Sequence, residues 1–266
     1  MGPPRRAAVR HVTVALFRVG RLFARAHRMF NHLAAGTLRV DDLRAGIRYT
    51  WERDEERDEA IAAGLMPWEE DLVSRFLSPQ SAVLLVGSGP GRDLIALVAR
   101  GYRVTGVEPA RRAIATARRH LESRGLSADV IEGFFEDVEL PKAFDVIIFS
   151  YCCYSLTPQS GRRIGVLRKA AAHLTEGGRI IISYMVHQPG HPAWMRLAEM
   201  TATISGSDWR PERGDVLHPL DLTRPLFYYE HAFRPGEIDA EAAAAGLRVA
   251  DRFDIPDNPV VVLARA

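Results

Sequence analysis

The feature that most constrains the fold is a glycine-rich segment that joins two apolar runs, VLLVGSGPGRD at 83–93 and VTGVEP at 104–109. The first run begins with four apolar residues, which predict a buried strand, and glycines follow at alternate positions. The second run is a further predicted strand, and it ends at Glu108. Glycine lets the backbone approach a ligand, and a carboxylate at a strand end can accept both hydroxyls of a ribose. The segment therefore predicts a nucleoside-binding β-α-β unit.

The spacing of the glycines distinguishes this unit from a dinucleotide-binding one. A dinucleotide fingerprint has the form G-x-G-x-x-G and needs a glycine at position 92, where this chain has Arg92. Residues 87–91 have the form G-x-G-x-G instead. With this loop, the second strand and Glu108, the sequence resembles the class I S-adenosylmethionine (SAM)-dependent methyltransferases, whose first motif has that form. A nicotinamide-dependent dehydrogenase is the least favoured interpretation.

The rest of the chain alternates between strand-like and helix-like segments, which predicts a doubly wound α/β sheet. The predicted strands are 83–86, 103–107, 129–131, 144–149, 179–184, 246–253 and 260–264. The resemblance covers roughly residues 65–266 and implies a seven-stranded sheet with an antiparallel last strand beside the fifth. We expect a helical N-terminal extension at 1–64, a methyltransferase domain at 65–266, and a substrate-covering insertion after strand five at about 187–226.

The resemblance also implies which residues contact SAM. The glycine loop would line the methionyl end near a helix N-terminus, and Glu108 would bind the ribose. Many family members carry an aspartate at the position of Phe134, so we move the polar adenine contact to Glu136 or Asp137. A phenylalanine would then pack on the purine, unless both phenylalanines belong to the core. The predicted cofactor-binding residues are Gly87, Ser88, Gly89, Gly91, Glu108, Pro109, Phe135, Glu136, Ser150 and Tyr151.

Three residues are candidates for the catalytic step. Methyl transfer needs an acceptor atom held close to the sulfonium methyl and, for a hydroxyl acceptor, a group that removes a proton. Tyr151 follows the fourth strand at the carboxyl edge of the sheet, His187 follows the fifth, and His231 lies in FYYEHAF. Each histidine alone is also compatible with a structural role. No metal site is visible, and two adjacent cysteines at 152–153 cannot form a disulfide framework or a zinc site.

The first forty residues form a basic arm with eight arginines and no acidic residue, whereas the remainder holds 27 basic and 33 acidic residues. Apolar residues at 9, 12, 16, 19, 23, 26, 30 and 33 predict a helix with one continuous apolar seam. The seam favours packing on the same domain or on a second copy, so residues 9–33 could build a homo-oligomer. An anionic membrane surface, nucleic acid and a cleaved targeting segment are the alternatives.

The predicted function is transfer of the SAM methyl group to an oxygen or nitrogen of a small organic acceptor, with S-adenosylhomocysteine (SAH) as product. The chain is 47% hydrophobic and 26% charged, as in a soluble globular protein, and no apolar run has the length of a membrane span. We therefore expect a cytoplasmic enzyme. The alternatives are an RNA or protein methyltransferase docked by the basic arm, and a non-catalytic SAM-binding assembly protein.

Overall fold

The computed structural model describes residues 3–53, 58–140, 143–186, 192–221, 223–224, 226–256 and 259–266. The chain forms two compact units. The larger comprises Val40–Pro189 and Gly214–Ala266, and the smaller comprises Met1–Arg39 and Gly190–Arg213. The larger unit begins at Val40 rather than at the predicted boundary at residue 64, because residues 40–64 belong to the larger unit.

The larger unit is built on a seven-stranded sheet with the order β3-β2-β1-β4-β5-β10-β9. Its strands are β1 Ala82–Val86, β2 Arg103–Glu108, β3 Asp129–Glu132, β4 Phe144–Phe149, β5 Leu174–Ser183, β9 Leu247–Phe253 and β10 Val260–Arg265. The first five are parallel, and β10 is antiparallel to both β5 and β9. This confirms the predicted doubly wound sheet with its antiparallel last strand.

Helices cover both faces of this sheet, which is why its central strands are apolar on both sides. All five residues of β1 are buried, with Leu84 and Val86 in one core cluster and Val83 and Leu85 in the other. The helices of this domain are α4 Pro67–Phe76, α5 Arg92–Ala99, α6 Arg111–Glu122, α7 Ser160–Ala172 and α9 Glu237–Ala244. A short 3-10 helix, Cys153–Leu156, follows β4. The carboxyl ends of the parallel strands thus meet at one edge.

The larger unit also contains a second sheet that the sequence did not predict. Its order is β6-β8-β7, with β6 Met185–Val186, β7 Asp215–Asp221 and β8 Leu226–Phe233. Helix α2, Val40–Glu52, packs on β8, and α3 is Asp58–Ala63. At Gly46 a Cβ atom would lie only 1.8 Å from the carbonyl oxygen of Phe227, so the close approach of α2 to β8 requires glycine. Residues 54–57 of the predicted helical extension lie outside the described residues.

The smaller unit contains two helices, α1 Pro3–Ala35 and α8 Pro192–Ser205. Helix α1 spans the predicted apolar seam, and α8 lies within the predicted insertion at about 187–226. The ends of α1 and α8 are in close contact near Gly36, where Ser205 Oγ donates a hydrogen bond of 3.0 Å to the Gly36 carbonyl. Among the described residues, no helix combines the length and the apolar character needed to cross a membrane.

Candidate active site

A cavity of about 310 Å³ lies in the larger unit at the carboxyl ends of the central strands. Its lining includes Val86, Val107 and Phe149, near the ends of β1, β2 and β4. Residues of α2 and α3, including Trp51 and Ile61, also line it. Its volume falls in the range of about 300–1,000 Å³ that is typical of small-molecule sites. This is the edge of the sheet at which ligands bind in doubly wound folds.

The three loop glycines are needed for different reasons, although all have positive φ angles. A Cβ at Gly87 would lie 2.7 Å from Cys153 Sγ, and a Cβ at Gly91 would lie 2.9 Å from the Cβ of Ala117. These two glycines therefore permit close packing within the protein. At Gly89 the nearest atom to a Cβ would be Trp51 Cζ3, at 4.0 Å. Gly89, with a φ of +52°, is thus the position where the loop backbone faces the cavity.

Glu108 lies at the cavity wall with 3% of its surface exposed. Its Oε2 accepts a hydrogen bond from the Gly89 amide and its Oε1 accepts one from the Ala110 amide, each at 2.9 Å. These bonds fix the carboxylate at the end of β2, beside the glycine loop. Each carboxylate oxygen has a second lone-pair direction, so the group can accept hydroxyl hydrogens from a ligand as well. Pro109 also lines the cavity, and its carbonyl accepts a 3.3 Å bond from Arg48 Nε.

Ser88 and Glu108 together allow a test of whether the cavity suits SAM. The hydroxyl oxygen of Ser88 is buried and has no hydrogen-bond partner among the described residues, and Ser88 lines the cavity. A buried polar atom of this kind normally has a partner. A polar ligand group beside the loop, with a ribose at Glu108, fits this donor and acceptor set.

Four residues next to the loop form a cluster that the sequence did not predict, which we call the cleft cluster: Glu69, Arg92, Asp93 and Ser150. Arg92 Nη2 lies 2.6 Å from Glu69 Oε1 and 2.7 Å from Asp93 Oδ1, and Ser150 Oγ donates to Asp93 Oδ2. Arg92, Asp93 and Ser150 line the cavity. In the sequence, Arg92 registered only as a missing glycine, because its partner Glu69 is 23 residues away.

The cleft cluster holds two buried carboxylates against one guanidinium group. Burial raises the pKa of Glu69 to about 7, with the nearby Asp93 charge as the next cause. Burial also raises the pKa of Asp93, which Arg92 and the Ser150 hydrogen bond partly oppose. Negative charge in this cluster is therefore incompletely compensated, a condition that is common at functional sites.

The predicted adenine end of the cavity is already engaged by α2. The guanidinium groups of Arg44 and Arg48 lie 4.8 and 5.3 Å from the centroid of the Phe134 ring. Arg44 also forms ion pairs with Glu136, at 2.8 Å, and with Asp137, at 3.0 Å. All of these except Arg48 and Asp137 line the cavity. The polar contact that we moved to Glu136 thus belongs to a carboxylate that Arg44 holds in place.

Phe135 lies both in the core and at the cavity surface. It is 4% exposed and meets Phe149 edge to face, with ring centroids 5.6 Å apart. The Lys169 ammonium lies 5.2 Å from the Phe135 ring centroid. Core packing and contact with the purine, the two interpretations that the sequence left open, are therefore compatible at Phe135. Any contact between Phe135 and the purine stays a prediction.

The residues after β4 separate into one that reaches the cavity and one that does not. Tyr151 is 50% exposed and lines the cavity, next to Ser150. Tyr154 is fully buried, and its hydroxyl donates a 2.8 Å bond to Glu241 Oε2. The structure thus brings Tyr151 together with the predicted cofactor residues and places Tyr154 in the core.

The prediction that His231 acts as a base needs correction. Its side chain is fully buried and is not among the residues that line the cavity. Nδ1 lies 2.7 Å from Asp215 Oδ1 and Nε2 lies 3.2 Å from Glu237 Oε1, so both ring nitrogens are engaged with carboxylates. Burial opposes protonation, but these two hydrogen bonds raise the pKa of His231. His187, the other predicted histidine, lies outside the described residues.

His231 belongs to a second buried set of charges, which we call the β8 cluster: Asp215, His231, Glu237, Glu241 and Arg163. Arg163 is fully buried and contacts Glu241 through Nη2 at 2.7 Å and through Nε at 2.9 Å. Its Nη2 also lies 3.9 Å from Glu237. These pairs link β7 and β8 to α7 and α9.

The comparisons with known proteins agree with this geometry. A model of the methyltransferase domain matches residues 83–178, which run from β1 into β5. The chain is 33% identical over 125 residues to the cypemycin N-terminal methyltransferase of a Streptomyces species, a match that covers 41% of this chain and 49% of that protein. The chain thus spans about half the length of that curated relative.

Two further similarities cover more of the chain. A ubiquinone biosynthesis O-methyltransferase of Stutzerimonas stutzeri is 27% identical over 180 residues, which are 67% of this chain and 69% of that protein. The structure of the CcbJ methyltransferase from Streptomyces caelestis superposes with a TM-score of 0.57 at 20% identity, covering 77% of this chain and 92% of that one. The methyltransferase-domain match at 83–178 and this superposition therefore support the fold of the class I SAM-dependent methyltransferases for this chain.

Proposed function

We propose that the protein transfers the methyl group of SAM to an oxygen or nitrogen atom of a small organic acceptor. The observation that carries this proposal is a single cavity in which Gly89 and Glu108, at the cofactor end, share one space with Tyr151. The curated relatives support the acceptor class, since their names specify an N-terminal methyltransferase and an O-methyltransferase.

The chain's own residues would hold the cofactor from two sides. Glu108, fixed by two backbone amides, would accept the ribose hydroxyls, and the Ser88 hydroxyl would pair with a polar group beside the loop. Trp51 and Ile61, on α2 and α3, would keep water out of the cavity. When bound, SAM supplies a sulfonium methyl group for an in-line displacement.

The acceptor side requires a group that positions the accepting atom and, for a hydroxyl, removes its proton. Tyr151 is the predicted catalytic residue that lines the cavity, and we propose that its hydroxyl orients the acceptor. His187 remains a proposed base. His231 is no longer proposed for this step, because Asp215 and Glu237 engage both of its ring nitrogens.

Isothermal titration with SAM and with SAH tests the cofactor site. We expect Glu108→Gln to weaken both affinities at least about 100-fold, the loss expected for two hydrogen bonds to a charged acceptor. Glu132→Gln is a matched control, because Glu132 stands beside Glu108 in the sheet register but does not line the cavity. Equal losses in both variants, or undiminished affinity in a folded Glu108→Gln protein, would contradict the assignment.

Product formation tests the acceptor class. The protein is incubated with SAM and separate panels of small phenols, amines, short peptides and RNA, and SAH is measured by mass spectrometry. We expect SAH with a small oxygen or nitrogen acceptor and a strong reduction of turnover in Tyr151→Phe, with little change in SAM affinity. SAH formation with RNA alone, at a rate that falls steeply with salt, would instead favour a nucleic-acid methyltransferase.

A further inference from the structure

Helix α1 exposes an unusual number of large apolar side chains. Phe17 and Phe23 are each 72% exposed, and Leu16 is 67% exposed. The exposed large apolar residues of this helix are Val12, Val14, Leu16, Phe17, Val19, Leu22, Phe23 and Phe30. An exposed apolar surface of this extent on a single helix marks a site that another surface covers.

Most of these side chains lie along one side of the helix. At about 100° per residue, five of them fall within roughly 60° of the circumference. We call these five residues the apolar stripe: Val12, Leu16, Val19, Phe23 and Phe30. Arg18, Arg21 and Arg25 lie on the opposite side by the same projection. Leu22 stands beside the stripe, whereas Val14 and Phe17 project on the arginine side. An apolar face opposite an arginine-rich face is typical of helices that lie in the interface of a membrane.

The sequence of the arm favours a membrane over a second copy of the chain. A coiled coil that buried the apolar stripe would have Thr13, Gly20 and His27 on one flank and Ala15, Leu22 and Met29 on the other. Charged pairs normally stand at these flanking positions and set the partner. Here no Asp, Glu, Lys or Arg occupies them, and residues 1–40 hold eight arginines without one acidic group.

An anionic bilayer supplies both features that the arm needs. Its acyl region covers an apolar stripe, and its headgroups provide the negative charge that residues 1–40 lack. Arginines on the polar face of an interfacial helix stay within about 8 Å of the charged surface, the screening length at physiological salt. The rest of the chain has more acidic than basic residues, so the attraction would come from the arm.

We propose that α1 binds the surface of phospholipid membranes that carry anionic headgroups, with the apolar stripe inserted and the arginines above it. This docking is independent of the methyl-transfer proposal, because none of the α1 side chains that the structure describes lines the cavity. It would hold the enzyme next to acceptors that partition into the membrane.

Vesicle co-sedimentation of the full chain tests the proposal. Vesicles of phosphatidylcholine alone are compared with vesicles that also contain phosphatidylglycerol. We expect at least about tenfold stronger binding to the anionic vesicles, decreasing as salt is raised. Combined R18E, R21E and R25E substitutions should abolish this difference, and Phe23→Asp with Leu16→Asp should weaken the binding to anionic vesicles at every salt concentration.

A matched control changes the same amount of charge elsewhere. Arg118, Arg124 and Arg248 are exposed residues of the larger unit, and replacing all three by Glu should leave vesicle binding within about twofold of the wild type. SAM titration reports whether each variant is folded. Equal binding to both kinds of vesicle, or equal losses in the two triple variants, would overturn the proposal. Two further outcomes would overturn it in a protein that does not bind vesicles. One is a lipid-free dimer that Phe23→Asp dissociates, and the other is salt-dependent binding to RNA.

Discussion

The cleft cluster and the β8 cluster both bury charged side chains in the larger unit, yet their carboxylates respond to burial in opposite ways. In the cleft cluster, burial raises the pKa of Glu69 to about 7. In the β8 cluster, hydrogen bonds from His231 and Arg234 outweigh burial and lower the pKa of Glu237 to about 2. The first cluster adjoins the cavity, and the second does not contribute to its lining.

The difference shows why buried charge alone does not identify a site. The β8 cluster sets Arg163 and His231 against three carboxylates at distances of 2.7–3.9 Å. The cleft cluster sets one guanidinium group against two carboxylates. The partners of Glu237 more than offset its burial, whereas those of Glu69 do not, so these two carboxylates differ in charge compensation.

The largest effect is expected from breaking the β8 cluster at Arg163. Arg163→Met should lower the free energy of unfolding by about 3–5 kcal/mol, because it leaves Glu241 buried without its guanidinium partner. Urea unfolding measures the loss. Arg162→Met is the control, since Arg162 is the exposed neighbour on the same helix. The SAM affinity of the folded fraction should stay unchanged, and a specific loss of affinity would mean that the β8 cluster serves the active site after all.

The sequence predicted the main sheet because its central strands are buried on both faces. Strands such as β1 and β4 are continuous apolar runs, and the loop glycines mark the turn between β1 and α5. The same logic failed for β7, whose Pro219 and polar residues resemble a loop. In β8, buried Phe227 and Tyr229 alternate with half-buried Tyr228. The alternation is one of burial and is not visible in the sequence, but the aromatic run was a usable strand signal.

The candidate site was predictable only where its residues are close in the sequence. Gly89 and Glu108 belong to one β-α-β unit, so their spacing alone indicated a shared ligand. Arg92 and Glu69 come from different elements, and Arg44 reaches Glu136 from 92 residues away. Contacts of this kind depend on tertiary packing, which no local pattern records. His231 illustrates the converse error, because a histidine in the sequence does not reveal whether its nitrogens are already bonded.

A smaller effect, which disappears at acidic pH, is expected from substituting Glu237. Its pKa lies below the ordinary value of 4.5, so its contribution to stability is complete above pH 4.5 and is lost as the pH falls towards 2. Glu237→Gln should therefore lower the free energy of unfolding by about 2–3 kcal/mol at pH 6 and by much less at pH 2.5. The raised pKa of His231 acts in the other direction, with a contribution that is complete below pH 6.5 and is lost as the pH rises through its folded-state value.

Unfolding experiments on Glu237→Gln from pH 2.5 to 6 decide whether that carboxylate is stabilised by its partners. Asp239→Asn is the control, since Asp239 is a half-exposed residue of the same helix that pairs with Arg252. A Glu237→Gln penalty that does not depend on pH would mean that the variant disturbs packing rather than charge.

The smallest effect is expected in the cleft cluster, and it has the opposite sign. The pKa of Glu69 is raised, so its favourable contribution is complete below pH 4.5 and is lost as the pH rises through about 7. Between pH 5 and pH 8, Glu69→Gln should therefore gain about 1–2 kcal/mol of unfolding free energy relative to the wild type. Glu70→Gln is the control, because Glu70 is the half-exposed neighbour that pairs with Arg100.

Urea unfolding of Glu69→Gln at pH 5 and pH 8 thus addresses the comparison directly. If the two clusters differ in charge compensation, neutralising Glu69 becomes more favourable as the pH rises, whereas neutralising Glu237 becomes more costly. A constant difference between Glu69→Gln and the wild type would show that Arg92 fully compensates both cleft carboxylates. The two clusters would then be electrostatically alike, and only their position relative to the cavity would separate a site from a structural network.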